Sequence, residues 1–259
     1  MSEYQDLLVD TNHGVLTVTI NRPDNGNMLR RQTTLELLDV LRGLRGDRSL
    51  RVAILTGAGE RFFCIGGEHD EQDAYDYSSV LPIVDVYQAI DTFPKPIIAA
   101  VNGYAVGAGN VLHTVCDLSI AAENAVFRQV GPMVGSFDAG YGSWYLEDTV
   151  GRKRAKEMWY LNRKYAAQQA LEWGLVNDVV TPDRLLPVAR EVADEIASRS
   201  PQAIAALKGA FSARHNGVAG QARLVHDQQL TLYLATREAH EMQAAFDQRR
   251  QPDDAAFWH

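Results

Sequence analysis

The distribution of apolar residues divides the first 200 positions into short strands and helices. Within residues 14–21 (GVLTVTIN), the apolar Leu16, Val18 and Ile20 alternate with a second set of side chains, Val15, Thr17 and Thr19. This two-residue period predicts a β-strand. Leucines recur at three- and four-residue spacing over residues 33–45 and predict an amphipathic helix. Two short apolar runs that end at glycine, 52–57 and 96–103, are typical of buried strands, and 116–122 and 175–180 are further strand candidates.

Helical periodicity dominates the second half of the chain. Residues 152–163 and 165–173 predict helices, the second ended by Gly174 in the C′ position. Pro201 follows another helical pattern, and the residues after it are almost wholly helical in character. Because strands alternate with helices, we expect an α/β fold with a largely parallel sheet. The predicted division is a core domain over residues 1–200 and a helical region over residues 201–259.

The charge balance narrows the classes of partner. The 259-residue chain carries 25 Lys and Arg against 33 Asp and Glu, and this net charge of −8 disfavours nucleic acid or an anionic membrane as the main partner. No apolar run approaches the roughly 18 residues of a membrane span, and the acidic N-terminus lacks a signal-peptide pattern. Two distant cysteines and histidines without ligand spacing predict a cytoplasmic protein with no disulfide and no metal site.

Two segments rich in small residues are candidates for binding a ligand through the backbone. They are FCIGGEH at 63–69 and GYAVGAGNVL at 103–112. Small residues let a ligand approach the main-chain N–H groups, and two such groups aimed at one oxygen form an oxyanion hole. The alternative is that both segments are only tight turns. The second segment is not a dinucleotide-binding motif, because its third glycine is misplaced.

Four motifs together extend over most of the chain: NRPDNGN at 21–27, AILTGAGERFFCIGGE at 53–68, PKPIIAAVNGYAVGAGN at 94–110 and CDLSIAAENAVFRQVGP at 116–132. With them the chain resembles the crotonase (enoyl-CoA hydratase/isomerase) superfamily. The resemblance implies a ClpP-like spiral of ββα units with a helical C-terminal trimerisation region. It also implies a homotrimer or homohexamer that acts on an acyl-CoA thioester, with coenzyme A as part of the substrate and no other cofactor.

The resemblance also assigns residues to the site. The oxyanion donors would be the N–H groups of Gly67 and Ala108, with Gly66 and Gly107 beside them at the substrate. The two glutamates of the hydratases correspond here to Val111 and Gly131. Neither residue can transfer a proton, so we expect no simple hydration of a double bond.

The segment VGSFDAGYGSWY at 134–145 supplies a different carboxylate. It resembles the loop of two subfamilies, the 2-ketocyclohexanecarboxyl-CoA hydrolases and the 1,4-dihydroxy-2-naphthoyl-CoA synthases. By that resemblance Asp138 is the acid–base group, and Ser136 and Tyr141 are its hydrogen-bonding partners. We expect the neighbouring Val134, Phe137 and Ala139 to desolvate Asp138 and raise its pKa. The alternative role for Asp138 is a helix N-cap or an Asx turn.

Other positions bear on the substrate. Gln129 matches a glutamine that binds bicarbonate in some synthases, and a buried structural amide is the alternative. Five acids occupy residues 68–76 and would repel a second substrate carboxylate, unless they form only a solvated loop. Further candidates are Tyr75 and Tyr77 in the pocket, and Arg30, Arg31, Phe246 and Arg249 at the CoA nucleotide. Where these relatives place a tyrosine from a neighbouring subunit, this chain has Leu234, next to Tyr233.

The sequence thus favours hydrolytic opening of the ring of a cyclic β-ketoacyl-CoA. The first alternative is the ring-closing reaction of a naphthoyl-CoA synthase. The second is a crotonase-fold protein that binds a partner and has no catalytic activity.

Overall fold

The structure of the protein is a computed structural model that describes residues 4–68, 82–138, 140–223 and 230–257. Tyr75 and Tyr77 lie outside the described residues. The chain forms two compact units, Met1–Pro201 and Gln202–His259.

Strands and helices alternate along the described part of the first unit. The strands are β1 Leu7–Asn12, β2 Val15–Ile20, β3 Val52–Gly57, β4 Phe62–Cys64, β5 Ile97–Val101, β6 Tyr104–Val106, β7 Leu118–Ala122, β8 Val126–Arg128, β9 Tyr165–Ala166 and β10 Asp178–Val180. The helices are α1 Arg31–Gly43, α2 Ile83–Thr92, α3 Ala108–Val115, α4 Leu146–Val150, α5 Arg152–Leu161, α6 Ala167–Glu172 and α7 Leu185–Ala197. A π-helical turn, Tyr141–Tyr145, leads directly into α4.

The strands form two sheets, and successive strands from β3 to β8 alternate between them. The larger sheet has the order β1-β2-β3-β5-β7-β10, and the smaller has the order β4-β6-β8-β9. The strand pairs are parallel except β1 with β2 and β8 with β9. In β3-β4-α2 and again in β5-β6-α3, one strand enters each sheet before a helix follows. The expected spiral of ββα units and the mainly parallel sheet are therefore confirmed.

Burial on both faces explains why the strands of the larger sheet are continuous apolar runs. In β3, Val52 and Ile54 belong to a core that includes the buried face of α7. Ala53 and Leu55 point the other way, into the main core. The predicted cap of α6 is also confirmed, because Gly174 has a φ of 76° and the Leu175 N–H donates to the Ala170 carbonyl.

The structure adds detail that the hydrophobic pattern did not reveal. Strand β1 was not predicted, since only one of its six residues, Leu7, is buried. The two segments predicted as loops, 63–69 and 103–112, both contain residues of short strands, β4 and β6. The two candidate ligand-binding turns are therefore shorter than predicted and begin where these strands end.

The second unit is helical in the part that the structure describes. It contains α8 Pro201–Arg223, α9 Thr231–Leu234 and α10 Arg237–Asp247, followed by a 3₁₀ turn, Asp254–Phe257. Helix α8 is interrupted at Gly217, whose φ is 52°. Among the described residues of both units, no helix has the length and apolar character needed to span a membrane.

The buried imidazole of His113 predicts how stability depends on pH. It lies in α3 with Asn110 Oδ1 and Ser119 Oγ at 3.2 and 3.1 Å, and burial lowers its pKa to about 3. In the unfolded chain the pKa returns to about 6.5. The stabilisation from neutral His113 is thus present above the unfolded pKa and is lost as the pH falls toward 3.

We therefore expect His113 to lower the free energy of unfolding by about 1.4 kcal/mol for each unit of pH below about 6. Urea unfolding of the wild type and of His113→Asn between about pH 6 and pH 4 measures this term. The variant is expected to take up one proton fewer on unfolding. Equal pH slopes in the two proteins would contradict the buried, neutral state.

Candidate active site

The two small-residue turns lie side by side because the strands that precede them are paired. Strands β4 and β6 run parallel, so the segments after them leave at the same edge of the smaller sheet. A Cβ built on Gly66 would lie only 3.8 Å from the amide nitrogen of Ala108 and 3.5 Å from the Val106 carbonyl oxygen. Gly66 and Gly107 have φ values of 113° and 54°, which favour glycine.

Backbone hydrogen bonds set the direction of the first candidate oxyanion donor. Leu29 donates its N–H to the Gly66 carbonyl and accepts from the Glu68 N–H, forming a parallel bridge at Gly67. The N–H of Gly67 itself therefore faces away from Leu29. The salt bridge from Arg22 Nη2 to Glu68 Oε2, at 2.7 Å, fixes the end of the same turn.

The second candidate donor is the first residue of α3. The first hydrogen bond of α3 runs from the Val111 N–H to the Gly107 carbonyl, so the Ala108 N–H precedes the helical ladder. The positive end of the helix dipole also lies there. Across the residues that the structure describes, neither the Gly67 nor the Ala108 amide donates to a protein acceptor. Both donors remain available to an oxygen of a ligand.

Asp138 is held by groups from two different elements. The Tyr87 hydroxyl, on α2, donates to Asp138 Oδ2 at 2.8 Å. Burial raises the pKa of Asp138, while the Tyr87 hydroxyl and the Gly142 N–H both act to lower it. Because burial is the largest of these effects, the carboxyl has a raised pKa, as a general base working near neutral pH requires.

The cause of the desolvation differs from the one predicted. Val134 and Phe137 are 56 % and 80 % exposed, so the prediction that they desolvate Asp138 is wrong, and Ala139 lies outside the described residues. The carboxylate instead packs against Gly142, where an added Cβ would lie 3.1 Å from both Asp138 Cβ and Cγ. Trp159 on α5 fixes Gly142 by donating its Nε1–H to the Gly142 carbonyl at 2.8 Å.

A row of tyrosines lines the same region. Tyr141 stacks on Tyr145 with ring centroids 5.4 Å apart, and its other neighbour is Tyr87 at 5.7 Å. Within the described ranges, the donors to Asp138 are Tyr87 and Gly142, and Ser136 and Tyr141 are not among them. The Asp138 side chain thus contacts α2 and the start of the π-helical turn. Nothing in the sequence identified Tyr87.

At the two positions that correspond to the glutamates of hydratases, the surrounding structure leaves no room for a larger side chain. Val111 is buried in the main core. At Gly131 an added Cβ would lie 2.6 Å from the Ser136 carbonyl oxygen, because residues 131–136 fold back through the Ser136 N–H to Gly131 carbonyl hydrogen bond. A larger side chain at position 131 therefore requires a different loop.

Gln129 lies beside the second turn. The preceding residue, Arg128, accepts the Gly107 N–H through its carbonyl, and the following residue, Val130, contacts the space around Gly107. Gln129 is 1 % exposed, and its amide nitrogen and oxygen find no hydrogen-bond partner among the described residues. A buried amide without partners is costly, so a polar group of a ligand or a water is expected to bind there.

The candidate nucleotide-binding residues belong to both units of the chain. Arg30 forms two 2.7 Å hydrogen bonds with Asp6, so its charge is already matched, whereas Arg31 is an exposed residue at the start of α1. Phe246 and Arg249 belong to the second unit, where Phe246 is 83 % exposed. Tyr233 and Leu234 are exposed in α9 of that unit.

The first unit thus combines the ββα spiral with paired backbone donors and the half-buried carboxylate of Asp138. No cluster of His, Cys, Asp or Glu in the described portion of the chain is arranged to hold a metal ion. Such a site is typical of enzymes that stabilise an oxyanion and move a proton.

Comparison with known proteins identifies the family. The sequence model of the enoyl-CoA hydratase/isomerase family matches residues 10–255, so the chain belongs to this family, the crotonase superfamily. It is 32 % identical to the enoyl-CoA hydratase of Bacillus anthracis, covering 96 % of this chain and 98 % of that one with a TM-score of 0.77. A monofunctional enoyl CoA isomerase from M. smegmatis is 34 % identical, covering 83 % and 97 %, with a TM-score of 0.71. Pseudomonas aeruginosa DspI is 26 % identical over 98 % of both chains, with a TM-score of 0.79.

Proposed function

We propose that the protein hydrolyses a ring carbon–carbon bond in a cyclic β-ketoacyl-CoA thioester, as a 2-ketocyclohexanecarboxyl-CoA hydrolase does. The observation that carries this proposal is the half-buried carboxylate of Asp138, whose pKa burial raises, together with Val111 and Gly131 at the two hydratase positions. Family membership supports an acyl-CoA substrate. The absence of a cofactor other than the coenzyme A of the substrate stays a prediction. A trimer or hexamer stays a prediction.

The proposed reaction begins with proton transfer to Asp138. Its carboxylate takes a proton from water, and the hydroxide oxygen forms a bond to the ring ketone carbon. The resulting alkoxide collapses to a carboxylic acid as the bond between that carbon and the α-carbon breaks. The electron pair moves into the thioester as an enolate, whose oxygen is stabilised by the N–H groups of Gly67 and Ala108. Protonated Asp138 then returns its proton to the α-carbon.

A second candidate function is double-bond isomerisation of an enoyl-CoA. The similarity to the M. smegmatis isomerase favours it, since that protein is 34 % identical to this chain. One carboxylate is sufficient for such a reaction, because the proton removed at one carbon can be returned at another. Isomerisation differs from ring opening in consuming no water.

Labelled water distinguishes these reactions in one experiment. We expect the wild-type protein to convert 2-ketocyclohexanecarboxyl-CoA into an open-chain dicarboxylic acyl-CoA that carries one labelled oxygen in its new carboxylate. The measurement is mass spectrometry of the product after incubation in oxygen-labelled water. Parallel reactions contain a 3-enoyl-CoA, crotonyl-CoA or o-succinylbenzoyl-CoA.

Each other result rejects ring-opening hydrolysis. Turnover of the 3-enoyl-CoA alone supports the isomerase, turnover of crotonyl-CoA alone a hydratase, and ring closure of o-succinylbenzoyl-CoA alone the synthase. If no thioester reacts although the chain is folded, the non-catalytic alternative is favoured. Calorimetry with the same thioesters then tests whether the protein still binds them.

A further inference from the structure

Tyr87 was not among the site residues predicted from the sequence, yet its side chain contacts Asp138, the candidate acid–base group, directly. It lies on α2, 51 residues before Asp138 in the chain, and its side chain is fully buried. Its hydroxyl donates to Asp138 Oδ2 at 2.8 Å, within the usual range for a strong O–H···O bond. The contact joins α2 to the segment before the π-helical turn.

The surroundings leave Tyr87 little freedom to move. Its ring belongs to the main core and contacts Tyr141 at a centroid distance of 5.7 Å. A buried tyrosine hydroxyl requires a hydrogen-bond partner, and the acceptor for this one is the Asp138 carboxylate. The hydrogen bond therefore fixes one oxygen of Asp138 from a rigid helix, whereas the chain around Asp138 is loop.

We infer that Tyr87 is a positioning residue that orients the Asp138 carboxylate and keeps it ionised for proton abstraction. The inference deepens the proposed function and rests on the assignment of Asp138 as the acid–base group. Tyr87 does not exchange a proton with the substrate in this scheme. It acts through Asp138, by holding the direction of the carboxylate and by stabilising its charged form.

The direction of the electrostatic effect follows from the donor. A hydroxyl that donates to a carboxylate stabilises the charged form, so Tyr87 lowers the pKa of Asp138 against the larger opposing effect of burial. The pKa of Tyr87 itself is raised by burial and by the Asp138 charge, so the hydroxyl stays protonated near neutral pH.

Other described groups near Tyr87 and Asp138 also have shifted pKa values. None of these groups competes with Asp138 for a proton near neutral pH. Burial raises the pKa of Cys64, on β4, to about 12, and burial also raises the pKa of Tyr145. His113, on α3, is buried with its pKa lowered to about 3, so it is neutral. The other titratable side chains on α2, the π-helical turn and α4 are Asp85, Asp91, Tyr141, Glu147 and Asp148.

Replacement of Tyr87 by phenylalanine tests the inference. Tyr87→Phe keeps the buried ring and removes the hydroxyl. Losing one hydrogen bond to a charged group moves a carboxyl pKa upward by about one unit. We therefore expect the acidic limb of the kcat/KM profile to move to higher pH by about that amount and kcat to fall about tenfold, with KM little changed.

Tyr4→Phe is the matched control. Tyr4 also donates its hydroxyl to an aspartate, Asp39 Oδ2, at 2.7 Å, but this pair joins the N-terminal segment to α1. The control removes the same chemical group from the same kind of bond and is expected to leave both the pH profile and kcat unchanged.

A direct titration separates this inference from the proposed reaction. The pKa of Asp138 is measured by carboxyl-carbon NMR, with the signal assigned through Asp138→Asn, in the wild type and in Tyr87→Phe without substrate. A raised Asp138 pKa in Tyr87→Phe supports the inference even if 2-ketocyclohexanecarboxyl-CoA is not a substrate, a result that would reject only the proposed reaction. An unchanged Asp138 pKa overturns the inference, whether or not Tyr87→Phe loses activity.

Discussion

Asp138→Asn is expected to reduce kcat by at least about a thousandfold while the protein remains folded. The amide has almost the shape of the carboxylate and can still accept the 2.8 Å hydrogen bond from Tyr87. It cannot take a proton from water, and positioned acid–base groups contribute about 10²–10⁴-fold to rate. The measurement is single-turnover cleavage of the ring-opening substrate at saturating enzyme.

The same variant is expected to be at least as stable as the wild type at neutral pH. Burial raises the folded-state pKa of Asp138, so its contribution to stability is complete below the unfolded pKa and is lost as the pH rises through the folded pKa. The ionised carboxylate thus destabilises the fold near neutral pH, where the reaction needs it as a base. The neutral amide of asparagine removes this destabilisation. Thermal unfolding at about pH 7 and pH 4 checks the sign.

Asp183→Asn is the matched control for this experiment. It makes the same chemical change at an exposed position of the Pro182–Arg184 turn, before α7, and is expected to alter neither rate nor stability. If Asp138→Asn instead keeps its activity within about tenfold of the wild type, Asp138 is not the acid–base group.

Local sequence patterns predicted the main strands well, because an apolar run and the burial that causes it concern the same residues. The runs at 52–57 and 96–103 are apolar because each of these strands is buried on both faces, and the structure places β3 and β5 within them. Strand β1 was missed because it lies at the edge of the sheet and Leu7 is the one buried residue among its six, while apolar Leu8 is exposed. An edge strand with one buried residue leaves little trace in hydrophobic periodicity.

The environment of Asp138 could not be predicted in the same way. Its neighbours in sequence, Val134 and Phe137, are exposed, and the groups that hold it come from α2 and the π-helical turn. A signal for a buried position was present but was not used, since apolar Val86 and Ile90 lie beside Tyr87 on the buried side of α2. A buried tyrosine needs a partner for its hydroxyl, but periodicity cannot identify an acceptor 51 residues away.

Gly109→Ala is expected to lower kcat/KM by about a hundredfold or more and to destabilise the first unit by roughly 1–3 kcal/mol. A Cβ at this position would lie 1.9 Å from the Cys64 carbonyl oxygen and 2.6 Å from its carbon, so the backbone must separate. Gly109 is the second residue of α3, and Cys64 ends β4, so the separation moves the Ala108 N–H away from the turn that carries Gly67. Displacement of a reacting geometry by about 1 Å is sufficient for a hundredfold loss.

Gly43→Ala supplies the comparison that isolates the steric cause. Gly43 ends α1 and lacks a positive φ, and a Cβ added there would meet no atom of the described residues within 4 Å. Alanine at this position is therefore expected to be neutral or slightly stabilising. Steady-state kinetics and thermal unfolding of both variants separate the outcomes. Wild-type kcat/KM in Gly109→Ala would mean that the close approach of α3 to β4 does not set the spacing of the two amides, and the oxyanion hole would then have to be assigned elsewhere.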